Sequence, residues 1–439
     1  MRSTNNRGHQ KRNGRLKLIG LILLFVFVLA GATFYAISLA QENNEEADQI
    51  EQPAGDDNQQ TDETEPDPSE TDGTDQTDAE EDDEEEEPEE EQFTDIRISA
   101  VGDVMGHTSQ LEAAYDAETG EYDFTSVFED VQPIISESDL AIANLETTLA
   151  GSDRPFIGYP LFNTPDAIID ALDYAGFDTI ITTNNHSLDT GPEGVRRTVE
   201  VIEEKGLNLA GTFAEEPESR VLYKEVEGIK VAILAYTEHL NDLDASYPQD
   251  EVLSMINVIS EERILADIEE AESEDVDLMI AYMHWGGEYE RYPNEFQENY
   301  AELMTREGVD IIFGSHPHVI QQATYLEVDG NESIVAYSLG NFVSNQRRET
   351  LGEEREPTED GVIFHVDVQK NEQTGETTVQ QVEYTPTWVY RKRYEGDSTY
   401  TYRILPVERI LETDEFTDVD RQRMQRSLDE TTTRLELTD

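Results

Sequence analysis

Cysteine is absent from the 439 residues. That absence excludes disulfides, thiolate zinc sites, cysteine nucleophiles and a lipoprotein anchor. Cations are scarce: 30 Lys and Arg stand against 99 Asp and Glu, a formal net charge of −69. Not one Lys or Arg lies between Lys17 and Arg97. With no basic patch to neutralise phosphates, nucleic acid is not an expected partner. No internal repeat is present either.

What is present falls into blocks of contrasting composition. Residues 1–17 are basic and polar, with Arg2, Arg7, Lys11, Arg12, Arg15 and Lys17. Residues 18–40 are 23 uncharged positions rich in Leu, Ile, Val and Phe. At about 1.5 Å per residue they suffice for a hydrocarbon core of about 30 Å. The reading is a single transmembrane anchor with a cytoplasmic N-terminus and an extracellular C-terminal domain. A cleavable signal peptide is the competing reading, since Ser38-Leu39-Ala40 resembles a cleavage site, but the apolar stretch is longer than the usual ~7–15-residue segment. In residues 41–92 half the positions are Asp or Glu. Such a segment repels itself and cannot bury enough apolar surface to offset its ordering entropy, so it reads as a disordered acidic linker. Of the net charge, the tail carries +6, the linker −26 and residues 93–439 the remaining −49. A domain so acidic suits high ionic strength or wall cations.

From residue 93 onward strands and helices alternate, which argues for a layered α/β domain. Strands are expected at Ile96–Val101, Leu140–Ala143, Thr179–Thr182, Lys230–Tyr236, Leu278–Met283, Val309–Phe313 and Ser333–Ser338. Helices are expected at Ser126–Ser138, from Thr164-Pro165-Asp166 to about Ala175, and at Gly194–Lys205, Glu261–Glu274 and Asn294–Glu307. Val362–Val368 and Thr377–Tyr384 read as antiparallel strands. The expected division is a main domain over 93–370 and a C-terminal extension over 371–439 packed on it, with a final polar helix.

The polar residues that carry chemistry gather where strands end. Asp103, Asn144-x-Glu146, Asn185-His186, His284 and His316-x-His318 each follow an apolar run. In the last turn Pro317 biases His316 toward an extended conformation. Five such turns along one edge of a sheet would converge on a single pocket, the usual ligand position in open α/β sheets. Two carboxylates, an amide and several imidazoles form a hard-to-borderline ligand set suited to a divalent Mn, Fe, Zn or Mg-type ion. Taken singly each residue has another reading: Asp103 as a helix cap, Glu146 as an ion-pair partner, His284 as a core histidine.

Six ordered motifs carry a wider likeness. They are Gly102-Asp103-Val104-Met105, Asn144-Leu145-Glu146-Thr147-Thr148-Leu149, Asn184-Asn185-His186-Ser187-Leu188-Asp189-Thr190-Gly191, His284-Trp285-Gly286-Gly287-Glu288-Tyr289, Gly314-Ser315-His316-Pro317-His318-Val319-Ile320-Gln321 and Tyr337-Ser338-Leu339-Gly340-Asn341-Phe342. Over roughly 95–370 the sequence resembles the CapA (PgsA) family, membrane-anchored components of poly-γ-glutamate capsule synthesis and export. That family in turn resembles the calcineurin-like metallophosphoesterases, a two-sheet sandwich flanked by helices.

The resemblance implies one or two divalent metal ions. Asp103 would bind the first, Glu146 would bridge, Asn185, His284 and His316 would hold the second, and His318 would return to the first. His186 would donate a proton to the leaving oxygen of a phosphoester. His107, Asn144, Asn184, Trp285 and Asn341 would border the substrate. Two departures stand out. Metallophosphoesterases carry Asp-x-His at the first turn, where this chain has Met105, with His107 two residues on as a replacement. Their second turn supplies Asp, where this chain has the longer Glu146. The implied partners are the cytoplasmic membrane, subunits of a membrane poly-γ-glutamate synthase, and an anionic polymer or phosphorylated intermediate. A free-standing phosphoesterase and a non-catalytic adaptor of the synthase complex remain as alternatives.

Overall fold

The computed structural model describes residues 92–352 and 357–435. The basic tail, the apolar segment 18–40 and the acidic linker up to residue 91 lie outside the described residues, and the anchor and linker readings lie there with them. Among the described residues no helix is long and apolar enough to cross a membrane.

The chain lays down β1 (Phe93–Val104), β2 (Leu140–Leu145), β3 (Thr179–Ile181) and β4 (Asn208–Ala210) in a first sheet. It then builds a second sheet from β5 (Leu222–Val226), β6 (Ile229–Thr237), β7 (Leu278–His284), β8 (Ile311–Ser315), β9 (Ala323–Val328) and β10 (Asn331–Ala336). Finally β11 (Asn341–Val343), β12 (Asp360–Asn371), β13 (Thr377–Lys392) and β14 (Thr401–Pro406) return to the first. The strand order is β14-β13-β12-β1-β2-β3-β4, with β11 beside β1, and β5-β6-β7-β8-β10-β9. The pairs β1–β2, β2–β3, β6–β7 and β7–β8 are parallel.

Period-two alternation explains why the sheets stack. In β6, Val231, Ile233 and Ala235 join Ile98, Ile142 and Phe364 of the first sheet in one core. Their neighbours Ala232, Leu234 and Tyr236 face a second core with Ile264, Ile268 and Met304 from the helices Glu261–Ser273 and Glu295–Arg306. On the other side, Ala141 and Ala143 of β2 meet Ile168, Ile169 and Leu172 of the helix Ala167–Ala175. Strands apolar on both faces are what parallel sheets covered by helices require. The helix boundaries follow local chemistry: Asn294 and Gln297 form a capping box, and Gly176 and Gly206 close their helices at φ 97° and 84°.

Three expectations are corrected. The helix expected over Ser126–Ser138 is two single turns, Thr125–Phe128 and Gln132–Ile135. Pro133 has no N–H, and its ring would clash with the carbonyl of residue 129, so one continuous helix cannot form. The strand ends expected along one sheet belong to two sheets that face each other. Residues 371–439 are not simply an appendage: β13 pairs with β12 over most of its length, β14 extends the same sheet, and the helices Val407–Leu411 and Asp418–Arg434 pack on it.

Candidate metal centre

The candidate residues lie at the carboxyl ends of parallel strands from both sheets. Asp103 is near the end of β1, Glu146 follows β2, Asn184–His186 follow β3, His284 ends β7, and His316 and His318 follow β8. Close backbone approach makes two of these turns possible. A Cβ on Gly102 would lie 1.9 Å from the Gly340 carbonyl oxygen, and one on Gly314 would lie 2.0 Å from that of Tyr337. Glycine at both lets the strands and the 337–341 loop crowd together, and the Asp103 amide donates to the Gly340 carbonyl at 3.0 Å.

The turn after β8 does not have the extended form that Pro317 favours at its predecessor. His316 has φ +97° and His318 φ +58°. Such conformations cost non-glycine residues about 1–3 kcal/mol each and persist where tertiary packing over-determines them. Here both rings are buried and engaged. His316 Nδ1 lies 3.1 Å from His284 Nε2, and His318 Nδ1 lies 3.0 Å from both Asp103 Oδ2 and Asn341 Oδ1.

Two donor sets result. Glu146, His284 and His316 each offer one atom within 4.8 Å of the others, and so do Asp103, Glu146 and His318. Glu146 belongs to both. Its side chain is fully buried, and among the described residues neither carboxylate oxygen has a hydrogen-bond partner. Three imidazoles ring Oε1: His284 Nε2 and His318 Nε2 at 3.8 Å, and His186 Nε2 at 3.9 Å. Burial, followed by the charge of Asp103, pushes the Glu146 carboxyl well above its ordinary range. Burial likewise pushes His284 and His316 well below theirs, keeping their ring lone pairs unprotonated. An orphaned buried carboxyl group beside the unprotonated rings of His284 and His316 is what a divalent cation would satisfy. Asn185 Oδ1, 3.0 Å from His284 Nε2, adds a further oxygen to the first of these sets.

Outer hydrogen bonds aim the ligands. Ser315 Oγ holds His284 Nδ1 at 2.8 Å, leaving Nε2 toward the centre. The Asn144 amide donates to Asp103 Oδ1 at 2.8 Å, and Asn184 donates to Asn144 Oδ1 at 3.1 Å and to the Leu145 carbonyl at 2.9 Å. Asn341, besides facing His318, donates to Gln346 Oε1 and to the Thr358 carbonyl, both at 2.9 Å. Asn144, Asn184 and Asn341 thus brace the ligands. Trp285 is fully buried, stacks on Tyr337 and donates to its carbonyl at 3.0 Å, so it belongs to the core behind the site.

A cavity of about 390 Å³ opens over the centre, with His107, Tyr159, His186, Glu288, Tyr289 and His318 on its walls. A larger groove of about 710 Å³ between β4 and β5 contains none of these residues. His107 belongs to neither donor set. It caps the helix Thr108–Ala114, its Nδ1 3.2 Å from Gln110 Oε1 and 3.3 Å from the Asn345 amide. Burial lowers its pKa to about 4. It borders the cavity without replacing the imidazole absent at Met105.

Some members of the site carry no sequence signal beyond their position. Asp189 Oδ2 lies 2.8 Å from His186 Nδ1 and also accepts the Phe162 amide at 2.6 Å. It stands three residues after His186 in the same motif, which was the available clue. His239, two residues beyond β6, sets its ring edge-to-face on His316 with centroids 5.0 Å apart. Asn241 accepts from the Asn185 amide at 3.4 Å. Both follow a strand end, as the other site residues do.

Residues 97–346 match the family model described as bacterial capsule synthesis protein PGA_cap. The capsule biosynthesis protein CapA of Bacillus anthracis is 29% identical over 262 residues, 57% of this chain and 60% of the relative. The PGA biosynthesis protein CapA of Bacillus subtilis (strain 168) is 29% identical over 259 residues, 56% of this chain and 63% of the relative. The chain therefore spans under two thirds of the length of these relatives. Among solved structures, a phosphatase from Mycoplasma pneumoniae aligns at 16% identity and TM-score 0.39, covering 67% of this chain and 94% of that one. The calcineurin-like phosphoesterase YfkN of Bacillus subtilis aligns at 14% identity and TM-score 0.41, covering 77% and 99%.

Proposed function

The chain belongs to the bacterial capsule synthesis protein PGA_cap family, and on that premise we propose that it serves capsule synthesis through a metal-dependent hydrolytic centre. The polymer would be poly-γ-glutamate, handled at the outer face of the membrane beside its synthase. The substrate at the centre would be a phosphoester of a synthesis intermediate, and the ion Mn, Fe or Zn.

One observation carries the metal centre: two donor sets share a buried carboxylate that has no hydrogen bond among the described residues. Glu146, His284, His316 and Asn185 would hold one ion, and Asp103, Glu146 and His318 the other. When bound, the ions supply Lewis-acid activation of water and neutralise charge on the phosphoryl group. The chain's own residues do the rest. Asp189 takes the Nδ1 proton of His186 in a hydrogen bond, so the opposite nitrogen, Nε2, faces Glu146 and the centre. With Nδ1–H held by Asp189, the doubly protonated ring can hand its Nε2 proton to a leaving oxygen and return to the neutral form. Buried Phe162 packs edge-to-face on the His186 ring, centroids 4.7 Å apart, and shields one side of it from water. Asn144 and Asn341 fix Asp103 and His318 before any ligand arrives, which lowers the reorganisation needed on binding.

The test is elemental analysis of the purified full chain, followed by hydrolysis of an aryl phosphodiester after Mn loading. Up to two equivalents of metal are expected. His316→Ala and His318→Ala should each lose part of the bound metal, and His186→Ala should abolish hydrolysis with the metal retained. Undiminished metal in both ligand variants would refute the centre.

A further inference from the structure

Asn345 stands on the wall of the cavity over the metal centre, and its neighbours fix which way its amide points. Its Oδ1 accepts from Arg391 Nη1 at 2.7 Å and from the Tyr402 hydroxyl at 2.7 Å. A guanidinium has donors only, so the atom it touches is the oxygen, and the nitrogen faces away from it. Ser109 Oγ lies 2.8 Å from the same Tyr402 hydroxyl. Since Tyr402 gives its proton to Asn345, Ser109 gives its own to Tyr402. Both lone pairs of Oδ1 are thus taken by residues of β13 and β14.

The backbone is pinned as well. The Asn345 main-chain amide donates to His107 Nδ1 at 3.3 Å, and His107 borders the same cavity. Burial, and then the charges of His318 and His186, lowers the His107 pKa, so both of those rings are near. The loop after β11 is therefore tied to the turn after β1, next to the donor sets. Two N–H groups remain on Nδ2 of Asn345. They have no acceptor among the described residues, and the half-buried side chain leaves the nitrogen open. Two donors, one of them charged, orient an amide whose own N–H groups serve nothing among the described residues.

We propose that Asn345 binds substrate: its amide donates to an anionic oxygen of the phosphoester in the cavity, and Arg391 is the residue that positions it. Arg391 is not itself on the wall. Its guanidinium stacks on the Tyr400 ring at 4.5 Å and acts through the amide, because hydrogen bonds in series polarise one another. A donor so strengthened gains most toward an ionised oxygen. Positive character reaches the substrate through a neutral group, on a wall that also carries Glu288. This rests on the phosphoester reading and adds to it a protein donor for the phosphoryl oxygens.

The test titrates inorganic phosphate into the Mn-loaded full chain by calorimetry and measures KM for the aryl phosphodiester beside it. Asn345→Ala should raise both constants at least about tenfold, the loss of one hydrogen bond to a charged group. Asn345→Asp is the sharper variant. It keeps the acceptor for Arg391 and Tyr402, so melting temperature and metal content should hold. It loses the N–H groups, and phosphate binding should weaken as much. Arg391→Gln should raise Kd about three- to tenfold, and Arg391→Lys should recover part of that loss. Parent affinity in Asn345→Asp, an unchanged Kd in Arg391→Gln, or loss of metal from Asn345→Asp would each overturn the proposal. A parent chain that holds metal but binds no phosphate and cleaves no ester would instead refute the phosphoester reading, and the proposal with it.

Discussion

Replacing Glu146 by Gln separates the cost of the metal-free centre from the gain on metal binding. In chelator the Glu146 carboxylate is fully buried, without a hydrogen bond among the described residues, and a buried unsatisfied polar group costs about 1–3 kcal/mol, more when charged. The amide is nearly isosteric and uncharged, so metal-free Glu146→Gln should be more stable than the parent by about 1–3 kcal/mol at neutral pH. The sign with pH follows from the raised folded pKa. Between the unfolded value near 4.5 and that higher folded value the native state binds the extra proton, so the parent loses stability as pH rises. The advantage of the variant should therefore shrink toward zero below about pH 4.5. With metal the order reverses. An ion at 100 times its Kd adds about 2.7 kcal/mol to the parent, and a variant lacking the shared ligand should gain little. Thermal unfolding of both chains, with chelator and with Mn, from acid to neutral pH reads all of this. A metal-free Glu146→Gln chain less stable than the parent at neutral pH, or one stabilised equally by metal, would refute the reasoning.

Other outcomes follow from single contacts. Asp189→Asn should lower kcat about 10–100-fold with metal content unchanged, since it removes the acceptor that orients His186; steady-state kinetics beside elemental analysis checks it. Gly314→Ala should destabilise the chain by about 1–3 kcal/mol or prevent folding, because its Cβ would collide with the Tyr337 carbonyl and Trp285; denaturant melts decide. Trp285→Phe should cost about 0.5–1.5 kcal/mol through the lost hydrogen bond to the Tyr337 carbonyl, which keeps only the longer one from Gln297 Nε2 at 3.4 Å, while metal binding is unchanged; an accompanying loss of metal would mean that the ring does more than pack.

Much of the domain was legible because its signals are local. The apolar runs of β6, β7 and β8 and the glycines after two helices announce those elements without reference to the rest of the chain. Failures came where a local rule met a stronger one. Pro133 broke a periodic stretch. At His316 the preference imposed by Pro317 yielded to packing of the ring against His284 and His239. Trp285 shows the limit of residue type as a guide. The aromatic beside His284 was expected to border the substrate, and it is buried in the core behind the site.

By itself the sequence determined the inventory: the composition blocks, the α/β alternation, the six motifs and a hard-to-borderline ligand set. These depend on residue type and on spacing over a few positions, which folding does not alter. Only the tertiary structure decided which of those residues meet. Opposed ends of two sheets, rather than one edge, bring together side chains more than two hundred residues apart, such as Asp103 and His318. Packing buried Glu146 and placed it in both donor sets. It also turned His107 toward Gln110 and Asn345, so the imidazole missing at Met105 stays missing. Burial and distance are properties of the packed molecule, and they decide which carboxylate needs a cation.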